Sequence, residues 1–117
     1  MQHPAVLALR VEGRVQGVGF RWFVRERASA LGLVGWVWNA PDGAVELCAA
    51  GDERRLAELR AIVERGPRGA SVEQVRVLAP DRGAAQRTQF SILHGAERPH
   101  DLTPGARPGA SESRDQS

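Results

Sequence analysis

Lysine is absent from the 117-residue chain, and all 16 of its basic residues are arginine. This absence excludes a Walker-type nucleotide loop, because that loop places a lysine against the phosphates. Residues 1–93 contain 13 arginines against 10 acidic residues, which is a mild positive excess. Such an excess suits a small anion, but it falls short of the clustered basic face that is typical of nucleic-acid binding.

Cysteine is nearly absent as well, and no apolar run is long enough to span a bilayer. The one cysteine, Cys48, can form neither an internal disulfide nor a multi-cysteine zinc site. Residues 1–4 do not begin a basic segment followed by an apolar one, so no secretory signal is expected. We therefore predict a cytoplasmic protein with no membrane partner, and a monomer.

Hydrophobic patterns along the chain predict the element order β, α, β, β, α, β, followed by one terminal strand. The predicted strands cover residues 7–12, 34–39, 44–50, 72–78 and 88–93, and the predicted helices cover residues 20–33 and the segment between Asp52 and Gly66. Right-handed crossovers in this order favour an α+β fold, a ferredoxin-like βαββαβ sandwich whose mainly antiparallel sheet carries two helices on one face. We expect this domain to occupy residues 1–93, and residues 94–117, rich in Pro, Gly, Ser and charge, to form a disordered polar tail.

A glycine-rich segment, residues 13–19, joins the first strand directly to the first helix. Such a connection can turn several backbone N–H groups inward, and the helix start adds unpaired N–H groups and a positive dipole end. Arg21 can add a bidentate contact to two phosphate oxygens. The glycine spacing does not fit the dinucleotide fingerprint, and Cys48 is too far away to act as a phosphatase nucleophile. By spacing alone, a phosphate cradle and a tight turn beside an exposed arginine stay equally open.

Two motifs carry a family resemblance. Residues 13–21, Gly-Arg-Val-Gln-Gly-Val-Gly-Phe-Arg, resemble the signature loop of the acylphosphatase family, and residues 35–43, Gly-Trp-Val-Trp-Asn-Ala-Pro-Asp-Gly, resemble its second motif. The similarity extends from the first strand through Ile92, and two long motifs in the right order are far more specific than either alone. The resemblance implies an enzyme that hydrolyses the carboxyl-phosphate bond of small acyl phosphates to carboxylate and inorganic phosphate, by direct attack of water on phosphorus.

The resemblance also implies roles for individual residues. Arg21 is expected to bind the phosphoryl group, and Asn39 to orient the attacking water. The predicted phosphate-binding set is the loop Val15, Gln16, Gly17, Val18, Gly19, Phe20 and Arg21. Trp38 departs from the basic residue often found before the family's asparagine. Without the motif, Asn39 reads more simply as a turn-entry residue that satisfies local backbone groups.

The chain offers no evident general base. His3, His94 and His100 lie in terminal or strand-end segments, and Asn39 can hold a water molecule without taking its proton. An acyl phosphate has a good carboxylate leaving group, so positioning and charge stabilisation can suffice for its hydrolysis. As the resemblance suggests, the substrate's own phosphate is then expected to accept the proton. We predict no metal and no cofactor.

Two alternatives remain open. One is a non-catalytic phosphate-binding module of the same fold. The other is a ferredoxin-like RNA binder with an aromatic sheet face, for which the candidate side chains are Trp22, Phe23, Trp36 and Trp38. The sequence lacks the aromatic pattern of such binders, and we interpret these residues as packing or surface aromatics and predict no nucleic-acid partner.

Overall fold

The computed structural model describes residues 4–97 and residue 99. Its strands and helices are β1 Ala5–Arg14, α1 Phe20–Ala30, β2 Val34–Asn39, β3 Val45–Gly51, α2 Glu53–Arg65, β4 Ser71–Leu78 and β5 Phe90–Leu93, with a 3-10 helix at Arg82–Gln86. Within the described residues, neither α-helix is long and apolar enough to cross a membrane.

The five strands form one sheet in the order β4-β1-β3-β2-β5. Pairing is antiparallel between β1 and β3, between β1 and β4, and between β2 and β3, whereas β2 and β5 run parallel. The predicted ferredoxin-like α+β fold is confirmed. Because β1 and β2 are both antiparallel to β3, the C-terminal ends of β1, β2 and β5 all lie at one edge of the sheet.

Alternation along the strands places the main core between the sheet and both helices. On β1, Leu9 and Val11 face the helices, and they are fully buried. The buried helical residues in the same core are Phe20, Val24 and Ala28 of α1 and Leu56, Leu59 and Val63 of α2. The two helices therefore cover the same face of the sheet, as their apolar stripes predict.

A second, smaller core lies on the opposite face, beneath the 3-10 helix. Ala84 of this short helix packs with Trp36, Trp38 and Cys48, and all four side chains are buried. The sequence analysis did not predict the 3-10 helix. Its packing confirms the interpretation of Trp36 and Trp38 as packing residues, and Cys48 is buried beside them.

The first helix ends three residues earlier than predicted, at Ala30 rather than at residue 33. Gly32 adopts a left-handed conformation with φ 74°, and the N–H of Leu33 donates to the Ala28 carbonyl at 2.9 Å. This arrangement closes the helix with a Schellman-type turn, which requires a residue that tolerates positive φ. Strand β5 is also shorter than predicted and begins at Phe90.

A cluster of charged residues lies on the same face of the sheet as the 3-10 helix. The Arg10 guanidinium donates to the fully buried Glu46 at 2.8 Å and to Glu12 at 2.9 Å, and it pairs with Asp42 in the β2–β3 hairpin. These contacts hold the pKa of Glu12 and that of Asp42 below their ordinary values, because hydrogen bonds from Arg10 favour the charged carboxylates. Arg10 thereby ties the hairpin to the centre of the sheet.

Candidate active site

The loop between β1 and α1 has an apolar underside. Val15 and Phe20, at its two ends, are each only 1% exposed and belong to the main core, and Val18 packs partly against it. Gly17 and Gly19 are exposed and have φ values of 76° and 78°, which side chains rarely tolerate. The apolar residues anchor the loop while the two glycines turn its backbone at the surface.

The backbone donors of this loop are largely unused. The β1 ladder ends at Arg14, which pairs with Ser71, and the N–H of Phe23 donates to the Gly19 carbonyl at 3.0 Å. In the segment between Arg14 and Phe23, no N–H group of residues 16–21 donates a hydrogen bond of ordinary geometry to another described residue. Unpaired N–H groups at the start of an α-helix form a site that attracts an anion.

Arg21 lies in the first turn of α1 and lines a cleft beside this loop. Its Nη1 is 3.3 Å from Nδ1 of His94, which follows directly after β5. A guanidinium has donors only, so Nδ1 of His94 must accept and the ring proton must lie on Nε2. In this contact the lone pair of Nδ1 is directed at Arg21.

Asn39 is the last residue of β2, and it reaches the cleft because β2 and β1 end at the same edge of the sheet. Its Oδ1 is buried and has no hydrogen-bond partner among the described residues. A buried acceptor left in this state is costly unless a donor such as a water molecule satisfies it. Asn39 nevertheless lines the cleft, and because a side-chain amide both donates and accepts hydrogen bonds, it is suited to hold a water there.

Gln16 connects the loop to the β2–β3 hairpin. Its Nε2 donates to the carbonyl of Ala40 at 2.8 Å and to the carbonyl of Ala44 at 2.9 Å. Both side-chain N–H groups are used in these bonds, so only the main-chain amide of Gln16 can serve an anion. The two bonds fix the loop relative to Asn39, which lies next to Ala40 in the chain.

A cleft of about 200 Å³ collects these groups, and it is lined by Val15, Gly17, Gly19, Phe20, Arg21, Trp22, Asn39, Ile92 and His94. Six of these were predicted as site residues. The side chains of the other two predicted residues, Gln16 and Val18, point to the hairpin and to the core. Within the described part of the chain, no three His, Cys, Asp or Glu side chains group as metal ligands.

Trp22, Ile92 and His94 also line the cleft, and they were not predicted as site residues. His94 follows a strand whose parallel pairing with β2 is set by tertiary structure, which no local pattern of the sequence reveals. Trp38, by contrast, lies outside this cleft; it is buried on the opposite face, where its Nε1 donates to the Gly95 carbonyl at 2.9 Å. Contacts with the domain thus continue to Gly95, and most of the predicted tail, residues 98 and 100–117, lies outside the described residues.

Fold and site together define a ferredoxin-like α+β protein with a glycine-rich loop of unused backbone donors between its first strand and first helix. The acylphosphatase family model matches residues 7–92. The chain therefore belongs to the acylphosphatase family, and the resemblance seen in its two motifs and the predicted enzyme class are confirmed.

Individual relatives agree with this assignment. An acylphosphatase of Caldivirga maquilingensis is 49% identical over 85 residues, which cover 72% of this chain and 88% of the relative. An acylphosphatase of Koribacter versatilis is 52% identical over 67 residues, but that match spans only 61% of the relative's length. The crystal structure of acylphosphatase from Bacillus subtilis superposes with a TM-score of 0.68 at 36% identity, covering 75% of this chain and 97% of that one.

Proposed function

We propose that this protein hydrolyses the carboxyl-phosphate bond of small acyl phosphates, and that it does so without a metal ion or cofactor. The observation that carries the proposal is the meeting of three groups in one cleft: the glycine-rich loop with its unused N–H groups, the Arg21 guanidinium and the side-chain amide of Asn39. The first two are suited to a phosphoryl dianion, and the third is suited to a water molecule.

In the proposed reaction the loop amides of residues 15–21 and Arg21 hold the phosphoryl oxygens, while Asn39 orients a water molecule towards phosphorus. The water oxygen forms a bond to phosphorus as the bond from phosphorus to the carboxyl oxygen breaks. The electron pair of that bond leaves with the carboxylate, and the products are a carboxylate and inorganic phosphate. Fixed donors stabilise the charge on the phosphoryl oxygens in a loose transition state.

The proton of the attacking water is transferred to a phosphoryl oxygen in this proposal. The lining of the cleft supports this step, because Asn39 cannot accept a proton at neutral pH and Nδ1 of His94 is engaged by Arg21. The carboxylate is a good leaving group, so no strong base is needed to drive the displacement.

The non-catalytic module remains the second candidate, since an anion cradle alone binds phosphate without turning over a substrate. An RNA-binding role is less well supported, because Trp36 and Trp38 are buried beneath the 3-10 helix and offer no open stacking surface. The cleft itself holds one large exposed aromatic side chain, that of Trp22.

Hydrolysis of benzoyl phosphate by the wild type, Arg21→Ala, Asn39→Ala and the control Arg25→Ala tests the proposal. Arg25 lies on the same helix, pairs with its neighbour Glu26 and does not line the cleft, so Arg25→Ala should retain wild-type rates. We expect Arg21→Ala to lose about 1000-fold in kcat/KM, and Asn39→Ala to lose about 100-fold mainly in kcat.

Two results would count against catalysis by this site. Near-wild-type rates in both cleft variants would exclude the proposed roles of Arg21 and Asn39. A wild type that binds inorganic phosphate through Arg21 but hydrolyses no acyl phosphate would establish the non-catalytic module instead.

We also propose that the protein is cytoplasmic and monomeric. A single buried cysteine, Cys48, is compatible with a reducing compartment, because the fold does not depend on a disulfide. Light scattering on the purified chain would test the monomer directly, and a mass twice the 12.7 kDa of one chain would contradict it.

A further inference from the structure

Trp22 is an unusual residue for the rim of an anion site. The described residues include two large hydrophobic side chains that are more than half exposed, Trp22 at 58% and Val77 at 57%. Val77 lies on the edge strand β4, whereas Trp22 directly follows Arg21 in the first turn of α1 and lines the cleft. Covering an exposed indole with an apolar group removes apolar surface from water, which is favourable.

The cleft lining divides into two chemical sets. The polar set contains Arg21, Asn39 and the backbone of Gly17 and Gly19, which suit a phosphoryl group and a water molecule. The remaining lining is largely apolar, with Trp22 from α1 and the half-buried Ile92 from β5. Neither residue contributes to the phosphoryl transfer described above, so both are available to the rest of the substrate.

The geometry of the displacement at phosphorus determines which part of the substrate contacts these apolar residues. In-line displacement places the attacking water and the acyl leaving group on opposite sides of phosphorus. Asn39 defines the side of the water, and the loop amides and Arg21 hold the phosphoryl oxygens. Ile92 pairs with Val37 on the strand that carries Asn39, so the acyl group is left with the lining contributed by α1, where Trp22 follows Arg21.

We propose that Trp22 forms a subsite for the acyl group, and that this subsite selects aromatic acyl phosphates over small aliphatic ones. This inference rests on the proposed function, because the phosphoryl position fixes where the acyl group must lie. A flat aromatic acyl group can stack on the indole and cover its exposed surface, whereas an acetyl group covers little of it.

The test compares benzoyl phosphate with acetyl phosphate in the wild type, Trp22→Ala, Trp22→Phe and the control Val77→Ala. Trp22→Ala should lower the ratio of the two kcat/KM values, benzoyl over acetyl, about tenfold. Trp22→Phe keeps an aromatic face and should restore most of that ratio. Val77→Ala removes an equally exposed apolar residue outside the cleft and should leave the ratio unchanged.

An unchanged ratio in Trp22→Ala would overturn the subsite even if the enzyme hydrolyses both substrates. If the wild type hydrolyses neither substrate, the proposed function fails, and calorimetry with the stable analogues benzoylphosphonate and acetylphosphonate tests the subsite separately. Preferential binding of benzoylphosphonate that is lost in Trp22→Ala would support the subsite, and equal binding of the two analogues would refute it.

Discussion

Gln16 is the residue through which the anion-binding loop and the β2–β3 hairpin hold each other in place. Its two hydrogen bonds reach the carbonyls of Ala40 and Ala44, and Asn39 immediately precedes Ala40. A shift of about 1 Å between a bound phosphoryl group and the attacking water can cost about 100-fold in rate. We therefore expect Gln16 to act as a positioning residue in the proposed reaction, in addition to offering its main-chain amide to the phosphoryl group.

We predict that Gln16→Leu lowers kcat for benzoyl phosphate by about 10- to 100-fold, because the loop loses its two bonds to the hairpin. The inhibition constant of inorganic phosphate should change less than kcat, since Arg21 and the loop amides remain. Steady-state kinetics with phosphate as inhibitor measures both quantities. Gln74→Leu, the same change on the exposed face of β4, is the control. Equal losses of kcat and of phosphate affinity in Gln16→Leu would contradict a positioning role.

Individual site residues were predictable from the sequence where a motif carried them. Arg21 and Asn39 stand at motif positions, and the structure brings both to one cleft. Trp22 and His94 were not predicted as cleft residues, because their places depend on how α1 and β5 pack at one edge of the sheet. Their presence in the cleft depends on tertiary structure, which local spacing in the sequence does not encode.

At the level of elements, the outer face of the sheet depends on the ion cluster around Arg10. Arg10 and Glu46 face each other in the β1–β3 register, and the Glu46 side chain is fully buried. Removing one partner of a buried ion pair costs far more than replacing both partners with apolar groups, because a charge without its counterion is left in the interior.

Arg10→Met should lower the free energy of unfolding by about 3 kcal/mol, since it leaves the buried Glu46 carboxylate without the guanidinium. The double variant Arg10→Met/Glu46→Leu should recover most of that loss. Urea unfolding measures all three proteins, together with the control Arg76→Met, which removes a more exposed partner of Glu12 and should cost less than about 1 kcal/mol. A double variant no more stable than Arg10→Met would contradict the buried-charge explanation.

The predictability of the elements followed the strength of their local signals. Strand β2 was predicted with its observed bounds, Val34–Asn39, because a β-rich run ends at the tight turn of residues 40–43. The 3-10 helix Arg82–Gln86 was missed, since five residues that include Gly83 show no helical stripe. The end of α1 was placed too late because Leu31 and Leu33 continue the apolar pattern beyond the residues that are helical.

At the scale of the whole molecule, the topology assembles the site. The C-terminal ends of β1, β2 and β5 lie at the same edge of the sheet, and they deliver the loop before Arg21, Asn39 and His94 respectively. The antiparallel βαββαβ core was predictable from element order and handedness. The parallel pairing of β5 with β2 was not predicted, because it joins segments far apart in the chain.

The proposed reaction requires that unused main-chain amides next to Arg21 bind the phosphoryl group. Titration of the ¹⁵N-labelled protein with inorganic phosphate, followed by NMR, shows whether they do. We predict that the largest saturable shifts fall on the amides of residues 16–21 and that Arg21→Met abolishes them. Shifts centred instead on the cleft at the start of α2, which is lined by Asp52, Arg54, Arg55 and Glu58, would contradict this binding mode.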